Sequence, residues 1–297
     1  MEELKINDYK LSVIVTAYNK QDTITRCIDS ILKSTFKDFE LIIVEDKSTD
    51  NTLEVIKGIK DDRIKIIEHT ENKGAGLSRR DGIEAAKGEF VSLIDGDDYI
   101  SENFYEELLK KQEETGADIV SGGITNINID GTTDIKLFGT RVSEGHDKLK
   151  DYGKGTIIFL NNKIVKRMLY DIVQYSDKRY CEDTPVIIPL LYWANRVAYV
   201  DNAGYFYNHM DPNALTRKVS IVRHMIACAD CCAYLREYFK DKEDGEFWRE
   251  SLSMQQFVGY LYTARRQNAT AEDVKDCIPE LLNSLYYLLD NIVKENK

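Results

Sequence analysis

The sequence predicts an α/β fold built on a mostly parallel sheet. The first hundred residues contain four short apolar segments, which begin at Leu11, Phe39, Ile64 and Glu89 and are almost evenly spaced. A helical pattern lies between successive segments, and such strand-helix alternation is typical of parallel βαβ units. With 297 residues and 43% hydrophobic content, the chain can bury one large core, or a core and a smaller subdomain.

The first strand and helix are predicted from their side chains. The segment from Leu11 to Thr16 is largely β-branched, which favours a strand. The segment after it has apolar residues at the i, i+3, i+4, i+7 spacing of an amphipathic helix packed on a sheet. This apolar stripe consists of Ile24, Cys27, Ile28, Ile31 and Leu32.

The next elements repeat this alternation. The second strand runs from Phe39 to Val44, and Asp50 is expected to cap the helix that follows it. The later elements of this half are a strand at 64–67, a helix at about 75–87 and a strand at 90–94.

An acidic cluster directly follows the fourth strand, with carboxylates at Asp95, Asp97 and Asp98. Three acids within four residues repel one another, so a fold retains them where water, a cation or positive side chains offset the repulsion. A divalent cation would do so, because Mg2+, Mn2+ and Ca2+ prefer oxygen ligands. An acidic surface turn is the alternative interpretation of these residues alone.

The residues after the other strands should lie at the same edge of the sheet, where open parallel sheets bind their ligands. Tyr18 and Asn19 follow the first strand, Glu45 and Asp46 follow the second, and the loop to Gly74 follows the third. Two of the four loops are therefore acidic. Unpaired acids with a purely structural role would not be expected twice at the same edge of a sheet, so these residues are candidates for ligand binding.

Composition and charge exclude some classes of protein. The formal net charge of -11 argues against a general nucleic-acid binder, which would present a basic face to phosphates. The sequence shows no signal-peptide pattern and no apolar stretch long enough to span a membrane. The six cysteines are scattered, so reduced thiols are expected. We therefore expect a cytoplasmic protein.

Six motifs, taken in order, resemble those of the family 2 glycosyltransferases. They are Ser12–Asn19, Val44–Thr52, Asn72–Gly74, Arg79 with Gly82, Ala86–Phe90 and Asp95–Asp98. The resemblance implies a GT-A fold, a nucleotide-diphosphate sugar donor, Mn2+ or Mg2+ as cofactor, and direct displacement with inversion at the anomeric carbon. It also implies polysaccharide or glycoconjugate biosynthesis, with a saccharide or lipid-linked saccharide as acceptor.

The same resemblance assigns residues to the nucleotide. Asp46 would accept a hydrogen bond from the imide nitrogen of uracil, so a UDP-sugar is the expected donor. The family has Asp-Asp-Gly-Ser where this chain has Glu45-Asp46-Lys47-Ser48. Glu45 keeps the charge, whereas Lys47 lacks the freedom of glycine to adopt a positive φ, which leaves the turn and the base preference open. The other residues assigned to this site are Ala17, Tyr18, Asn19, Gly74 and Gly96.

Arg79 and the acidic cluster are expected to meet the diphosphate. A guanidinium makes charge-assisted hydrogen bonds to phosphate, and the helix N-terminus near Gly74 adds partial positive charge; a solvated arginine is the alternative. Asp95 and Asp97 match the family's Asp-x-Asp motif, which holds a cation against both phosphates. We expect Asp97 to bind the metal directly, Asp95 to contact ribose or metal-bound water, and Asp98 to bind metal, cap the next helix, or both.

Glu182 and Asp183 precede an apolar helix predicted at 186–193. On their own, two acids at this position are explained as partners of the helix dipole. The family has a Glu-Asp pair here, and the resemblance assigns Asp183 as the general base that takes the proton of the acceptor hydroxyl. A carboxylate is a weak base at its ordinary pKa, so Glu182 is expected to assist as an acidic neighbour.

The remaining half of the domain is predicted in less detail. His209 lies where relatives place a residue close to the diphosphate, with a structural histidine as the alternative. Arg217, in a polar loop, is a second candidate for phosphate contact. The predicted elements are a helix at 102–115, a strand at 118–121, an irregular or hairpin insert at 122–155, and two short strands at 196–200 and 204–207.

The predicted domains are a GT-A domain at 1–217 and a helical region at 218–297. The nucleotide half of the first domain spans about 9–121 and its acceptor half about 122–217. The last helical segment has a wide apolar face. We expect this face to pack on the catalytic domain, with a homodimer contact or peripheral contact at the inner face of a membrane as alternatives.

Two other functions compete with glycosyl transfer. An apolar strand followed by Asp-x-Asp also describes the nucleophile motif of haloacid-dehalogenase-like phosphatases, although that motif normally follows the first strand rather than the fourth. A non-catalytic relative that binds sugar nucleotides or glycans is the third hypothesis, against which Asp97 and Asp183 are both present.

Overall fold

The computed structural model describes residues 8–153, 159–173, 175, 182–210, 230–231, 233–249, 252, 270, 275, 278–279 and 282. The strands are β1 (Tyr9–Ala17), β2 (Phe39–Glu45), β3 (Ile64–Glu68), β4 (Gly88–Asp95), β5 (Tyr99–Ile100), β6 (Ile119–Ile127), β7 (Thr133–Lys136), β8 (Arg141–Glu144), β9 (Lys163–Lys166) and β10 (Arg196–Asn208). The helices are α1 (Ile24–Leu32), α2 (Thr52–Gly58), α3 (Ala75–Ala85), α4 (Phe104–Thr115), α5 (Asp147–Gly153) and α6 (Thr184–Trp193), with a 3-10 helix at Arg167–Ile172.

Four parallel strands in the order β3-β2-β1-β4 form one half of the sheet, which confirms the prediction from their spacing. The register sets the ends of these strands side by side. Ala17 at the end of β1 lies opposite Glu45 on β2, and its neighbour Thr16 lies opposite Asp95 on β4. The loops after β1, β2 and β4 therefore leave the sheet at a common edge.

Helix α1 packs on this half with the predicted apolar stripe. Ile24, Cys27, Ile28 and Ile31 are buried, in one core cluster with Val13 and Val15 of β1. Burying a side chain of this size stabilises the fold by roughly 1.5–3 kcal/mol. The stripe therefore fixes where α1, and the loop that leads into it, lie on the sheet.

The start of α2 differs slightly from the prediction. The N-cap of α2 is Asn51 rather than Asp50. Asp50 still accepts the backbone N–H of Thr52, at 2.9 Å, from one position further back. The carboxylate thus binds the first turn as expected, because a helix start leaves several N–H groups to be satisfied.

The second half of the sheet is joined through β9, which is antiparallel to both β4 and β6. Strands β4 and β6 therefore run in the same direction, and β10 is parallel to β6. The carboxyl ends of β6 and β10 lie at the same edge of the sheet as the ends of β1, β2 and β4. This arrangement extends the edge expected to bind ligand.

The predicted insert at 122–155 is more regular than expected. Strand β6 continues to Ile127 and forms a hairpin with β7, while β8 pairs with β10. Helix α5 within this insert was not predicted, because its seven residues show no clear apolar stripe. The hairpin expectation is confirmed, and the expectation of an irregular segment is wrong for these strands.

The two short strands predicted at 196–200 and 204–207 are one strand, β10. Its pairing with β6 shifts register between Val200 and Gly204, so the sequence shows two apolar segments where the backbone continues. Helix α4 begins at Phe104 with Asn103 as its N-cap. The predicted capping of this helix by Asp98 is therefore wrong.

The chain divides into two compact units. The first comprises Met1–Asp177 and Val186–Pro212, and the second comprises Lys178–Pro185 and Asn213–Lys297. Within the second unit, residues 230–231, 233–239 and 245–249 are helical. None of the helices in the described ranges is both long and apolar enough to cross a membrane. The domain boundary predicted at 217/218 stays a prediction.

Candidate active site

The loops after β1 and β2 are joined by hydrogen bonds at the edge of the sheet. Asn19, with φ of 54°, accepts the backbone N–H of Thr49 through its Oδ1 atom at 2.8 Å. Its own backbone N–H donates to Ser48 Oγ at 3.0 Å. Ala17 is buried, whereas Tyr18 is 42% exposed. Ala17, Tyr18 and Asn19, which were predicted for the nucleotide site, therefore lie at one side of this edge, and the ring of Tyr18 is partly exposed.

Asp46 is buried, and its carboxylate accepts three hydrogen bonds. Oδ1 lies 2.7 Å from His69 Nδ1 and accepts the N–H of Lys73 at 2.8 Å, while Oδ2 accepts the N–H of Gly74 at 2.8 Å. Gly74 has a φ of 87° and is the N-cap of α3, a conformation that favours glycine. Asp46 therefore fastens the end of β2 to the segment that leads into α3.

Glu45 is also engaged by the backbone. Its carboxylate accepts the N–H of Ser48 at 2.7 Å, and the side chain is buried. Lys47 adopts a φ of 60°, so the turn keeps a positive φ although lysine replaces the glycine of the family motif. The premise that the acids at this edge are unpaired is wrong for both Glu45 and Asp46.

Arg79 lies in α3 and is 7% exposed. Its guanidinium donates to Asp95 Oδ1 at 2.9 Å, and Thr16 Oγ1 approaches the same oxygen at 3.4 Å. Arg79 is therefore not a solvated arginine. It brings the positive charge expected near the diphosphate to the first acid of the Asp-x-Asp motif.

Asp97 forms an ion pair with Lys20, whose Nζ atom lies 2.5 Å from Asp97 Oδ2. Both side chains are less than one fifth exposed, at 19% for Lys20 and 17% for Asp97. Burial raises the pKa of Asp97, the charge of Lys20 opposes this shift, and the charge of Asp95 adds to it. Arg26 donates to the backbone carbonyl of Asp97 at 3.0 Å and fixes the loop.

Asp98 faces the interior and is 1% exposed. Its carboxylate accepts the hydroxyl of Tyr205 at 2.5 Å and the backbone N–H of Asn208 at 2.8 Å. Burial, followed by the charges of Asp97 and Asp95, raises the pKa of Asp98 well above its usual range. These contacts favour a role in fastening the loop to β10 over the predicted role as a metal ligand.

The histidine at the end of β10 lies among polar and aromatic side chains. His209 Nε2 is 3.2 Å from Asn126 Oδ1, and its ring packs edge-on against Tyr207 with centroids 4.4 Å apart. Its predicted contact with the diphosphate stays a prediction.

Glu182 and Asp183 form a turn directly before α6, and both are half-buried. They belong to the second unit, whereas the acidic cluster belongs to the first. The predicted roles of Asp183 as general base and Glu182 as its neighbour stay predictions. Arg217 lies outside the described residues.

A divalent cation is compatible with the donor atoms of Asp95 and Asp97. Among the described residues, no group of three or more His, Cys, Asp or Glu side chains is arranged to hold a metal by itself. Mg2+ in nucleotide sites commonly uses one or two carboxylates together with water and substrate phosphates. Arg79 and Lys20 contact Asp95 and Asp97 through flexible side chains, whose head groups can move when an ion and a diphosphate bind. These residues therefore fit a cation that binds with a diphosphate.

The sequence profile of the family named Glycosyl transferase family 2 matches residues 12–173, which is more than half of the chain. The matched segment includes the loops after β1, β2, β3 and β4, and it ends before Glu182, Asp183 and the end of β10. The chain belongs to glycosyl transferase family 2.

Proteins of similar sequence are also named as glycosyltransferases. The Bacillus subtilis (strain 168) protein named uncharacterized glycosyltransferase EpsJ is 32% identical over 217 residues, which cover 69% of this chain and 62% of EpsJ. An Escherichia coli protein, UDP-Glc:alpha-D-GlcNAc-diphosphoundecaprenol beta-1,3-glucosyltransferase WfaP, is 43% identical over 89 residues, 30% of this chain and 36% of WfaP. The chain thus spans less than two thirds of each of these relatives.

The fold is also found in solved structures. The crystal structure of S. aureus TarS 1-349 in complex with UDP-GlcNAc matches with a TM-score of 0.67 and 22% identity, over 93% of this chain and 79% of that one. This similarity confirms the predicted GT-A fold of the family 2 chain. Membership of this family overturns the alternative of a haloacid-dehalogenase-like phosphatase.

Sequence reasoning missed three residues that organise the site of this family 2 chain. Lys20 follows the Tyr18-Asn19 motif directly, and its place at the end of β1 was the available signal. His69 and Asn208 bind Asp46 and Asp98 from distant parts of the chain. His69 lies in the loop after β3, which the sequence places at this edge, and that place was its available signal. No pattern indicates the contact of Asn208 with Asp98, because it depends on the order of the strands.

Proposed function

We propose that this chain is a metal-dependent, inverting glycosyltransferase that acts in polysaccharide or glycoconjugate assembly. The donor would be a nucleotide-diphosphate sugar, with a UDP-sugar expected, and the acceptor a saccharide or lipid-linked saccharide. The observation that supports this most directly is the pair Asp95 and Asp97 at the end of β4, with Arg79 on Asp95 and with Asp46 at the same edge of the sheet, in a family 2 chain.

Each residue has a proposed task. Tyr18 would lie against the base, and Asp46 would recognise the imide of uracil. Because three protein donors already hold the Asp46 carboxylate in place, it would bind the base without changing its conformation. Arg79 and Lys20 would offset negative charge at the diphosphate. Asp95 and Asp97 would hold Mn2+ or Mg2+, which when bound neutralises charge on the leaving diphosphate.

The chemical step would be a single displacement. Asp183 accepts the proton of the acceptor hydroxyl, and the acceptor oxygen forms a bond to the anomeric carbon of the donor. The bond between that carbon and the diphosphate oxygen breaks, and the nucleoside diphosphate leaves with the electron pair. The configuration at the anomeric carbon is inverted because one displacement occurs.

The donor proposal can be tested by calorimetric titration of UDP into purified protein with Mn2+, with Mg2+ and with EDTA. We expect binding that requires the metal and falls at least a hundredfold in Asp97→Ala, since a metal ligand is lost. The same titrations with GDP and dTDP test the base preference. No UDP binding to folded protein under any of these conditions would contradict the assignment of uridine.

The role of Asp183 is tested separately, by turnover with UDP-sugars. Asp183→Asn should keep UDP affinity within about twofold while transfer falls by a factor of 100 or more, as expected when a general base is removed. Unchanged transfer would show that another group takes the proton. Metal-dependent UDP binding without transfer of any sugar would instead support the non-catalytic relative.

A further inference from the structure

The ion pair between Lys20 and Asp97 is built into the fold. The backbone N–H of Lys20 donates to Thr52 Oγ1 at 2.7 Å, and its carbonyl accepts the N–H groups of Thr23 at 3.0 Å and Ile24 at 2.9 Å. These three bonds fix the residue at the entrance to α1. The position of its Cα atom is therefore set by the first turn of α1 and by the first residue of α2.

The side chain reaches Asp97 across Gly96. A Cβ atom added at Gly96 would lie 3.5 Å from Lys20 Cγ and 3.0 Å from the carbonyl oxygen of Thr16. Glycine thus allows the loop after β4 to approach the end of β1 and Ile24 closely, with the lysine stem in ordinary contact. Thr23 Oγ1 also donates to the carbonyl of Gly96 at 3.0 Å, which holds the two loops together.

The ammonium lies where it neutralises the carboxylate proposed as the direct metal ligand. Its Nζ atom is 2.5 Å from Asp97 Oδ2, in a position where both side chains are mostly buried. A divalent cation at Asp97 would lie within a few ångströms of this ammonium. Two positive charges at that separation repel one another strongly when water is largely excluded.

We propose that Lys20 is a built-in competitor for the metal, whose ammonium holds Asp97 until a nucleoside diphosphate arrives together with the cation. This inference rests on the proposed function of the same site. A cation alone displaces the ammonium from Asp97 and brings no negative charge of its own to the site, so it binds weakly. A diphosphate brings negative charge that can offset both the cation and the displaced ammonium. Lys20 thereby couples metal binding to nucleotide binding.

The test is calorimetric titration of Mn2+ into the full chain, first alone and then in saturating UDP. In Lys20→Met we expect Mn2+ alone to bind about tenfold more tightly than to wild type, the effect of removing one opposing charge in contact with the ligand. The ratio of the two Mn2+ affinities, with and without UDP, should shrink by at least the same factor. Lys20→Arg keeps the positive charge and should retain most of the wild-type coupling.

Lys33→Met is the matched control. Lys33 follows α1, is 66% exposed, and lies 3.9 Å from Asp29, so its substitution removes the same charge away from the acidic cluster. We expect Mn2+ affinity in Lys33→Met to equal that of wild type. Lys20→Gln provides a second neutral variant if thermal unfolding shows that Lys20→Met is not folded.

The possible results separate this inference from the proposed function. Suppose that Lys20→Met and Lys20→Gln bind Mn2+ alone no more tightly than wild type, while all three proteins bind UDP with Mn2+. The proposed competition by Lys20 is then wrong, and the proposed donor site is supported. Weaker Mn2+ binding in both variants would show that Lys20 positions Asp97 instead. If folded wild-type protein binds neither Mn2+ nor UDP, both proposals fall.

Discussion

The two acidic loops at the edge of the sheet satisfy their carboxylates in different ways. After β2, Asp46 is held mainly by backbone N–H groups of Lys73 and Gly74. After β4, Asp95 and Asp97 are held by the side-chain cations Arg79 and Lys20. Backbone donors cannot leave without unfolding the start of α3, whereas a lysine or arginine head group can change partner. The loop after β2 is therefore expected to keep its conformation, whereas the carboxylates after β4 can exchange their side-chain partners for a ligand.

The largest effect that tests this contrast is expected at Asp46. Asp46→Ala leaves the N–H groups of Lys73 and Gly74 without their acceptor in a largely buried position. Each buried group left without a partner costs about 1–3 kcal/mol, so we expect the free energy of unfolding to fall by about 3 kcal/mol or more. Urea unfolding at pH 7 measures this loss.

Asp97→Ala is the counterpart in the other loop. Burial and the charge of Asp95 already disfavour the charged form of Asp97, as the raised pKa of its carboxyl indicates. Because the head group of Lys20 can turn towards solvent, we expect the removal of Asp97 to lower the free energy of unfolding by less than in Asp46→Ala, although ligand binding is lost. An equal loss of stability in the two variants would contradict the distinction between the loops.

A smaller effect is expected at Lys47, which tests how rigidly the loop after β2 is set. Lys47 is exposed and has a φ of 60°, where residues other than glycine are strained. Lys47→Gly should raise the free energy of unfolding by up to about 1 kcal/mol, since no packing is lost. Differential scanning calorimetry would detect this change as a higher Tm.

Lys33→Gly supplies the comparison for that variant, because Lys33 is also exposed but has an ordinary φ of -78°. Here glycine only adds freedom to the unfolded chain, and stability should fall by about 0.5–1 kcal/mol. A decrease in both variants would show that the positive φ at Lys47 carries no strain.

The smallest effect is expected at an acid outside both loops. The guanidinium of Arg63 lowers the pKa of Asp61 to about 2. Since the folded pKa lies below the value of about 3.9 for an unfolded chain, the pair stabilises the fold above pH 4 and loses this effect as the pH falls towards 2. Asp61→Asn should therefore lower the free energy of unfolding by about 0.5 kcal/mol at pH 7, a value reduced by solvent screening, and by nothing near pH 2.

Urea unfolding of wild type and Asp61→Asn at pH 7, 4 and 2.5 measures this difference. It gives the strength of a solvent-accessible acid-cation pair in this protein. A difference that grows as the pH falls would contradict the assigned direction of the pKa shift.

The sequence predicts the first half of the fold well, because its strands and its first helix are indicated by side chains close together in the chain. Strands β1 to β4 and the buried stripe of α1 follow from side chains close together in the chain, and the register then places Ala17, Glu45 and Asp95 at one edge. Strand β10 was divided in two because its pairing shifts register, which depends on β6 and not on its own residues. Helix α5 was missed because it has no distinct stripe.

The candidate site shows the same division. The acids and Arg79 were found from their place after the strands and from the family motifs. The partner of Asp98 could not be found in this way, since Tyr205 reaches it only once the sheet has formed. The sequence does not distinguish Asp98 from Asp97, whereas the structure buries Asp98 and gives its carboxylate two hydrogen bonds to β10.

The register shift in β10 has a consequence for how this chain tolerates changes in length. Gly122 and Gly123 are adjacent on β6, but they pair with Val200 and Gly204 on β10. The three residues of β10 between Val200 and Gly204 therefore have no paired residue on β6. Pairing resumes beyond them, and Tyr205 and Asn208 still reach Asp98. An insertion within 201–203 would enlarge this bulge and leave the alignment of β10 with the acidic loop in place. A deletion that removes Ala203, which is buried in the core, or Asp201, which accepts the N–H groups of Phe138 and Gly139, would lose those contacts.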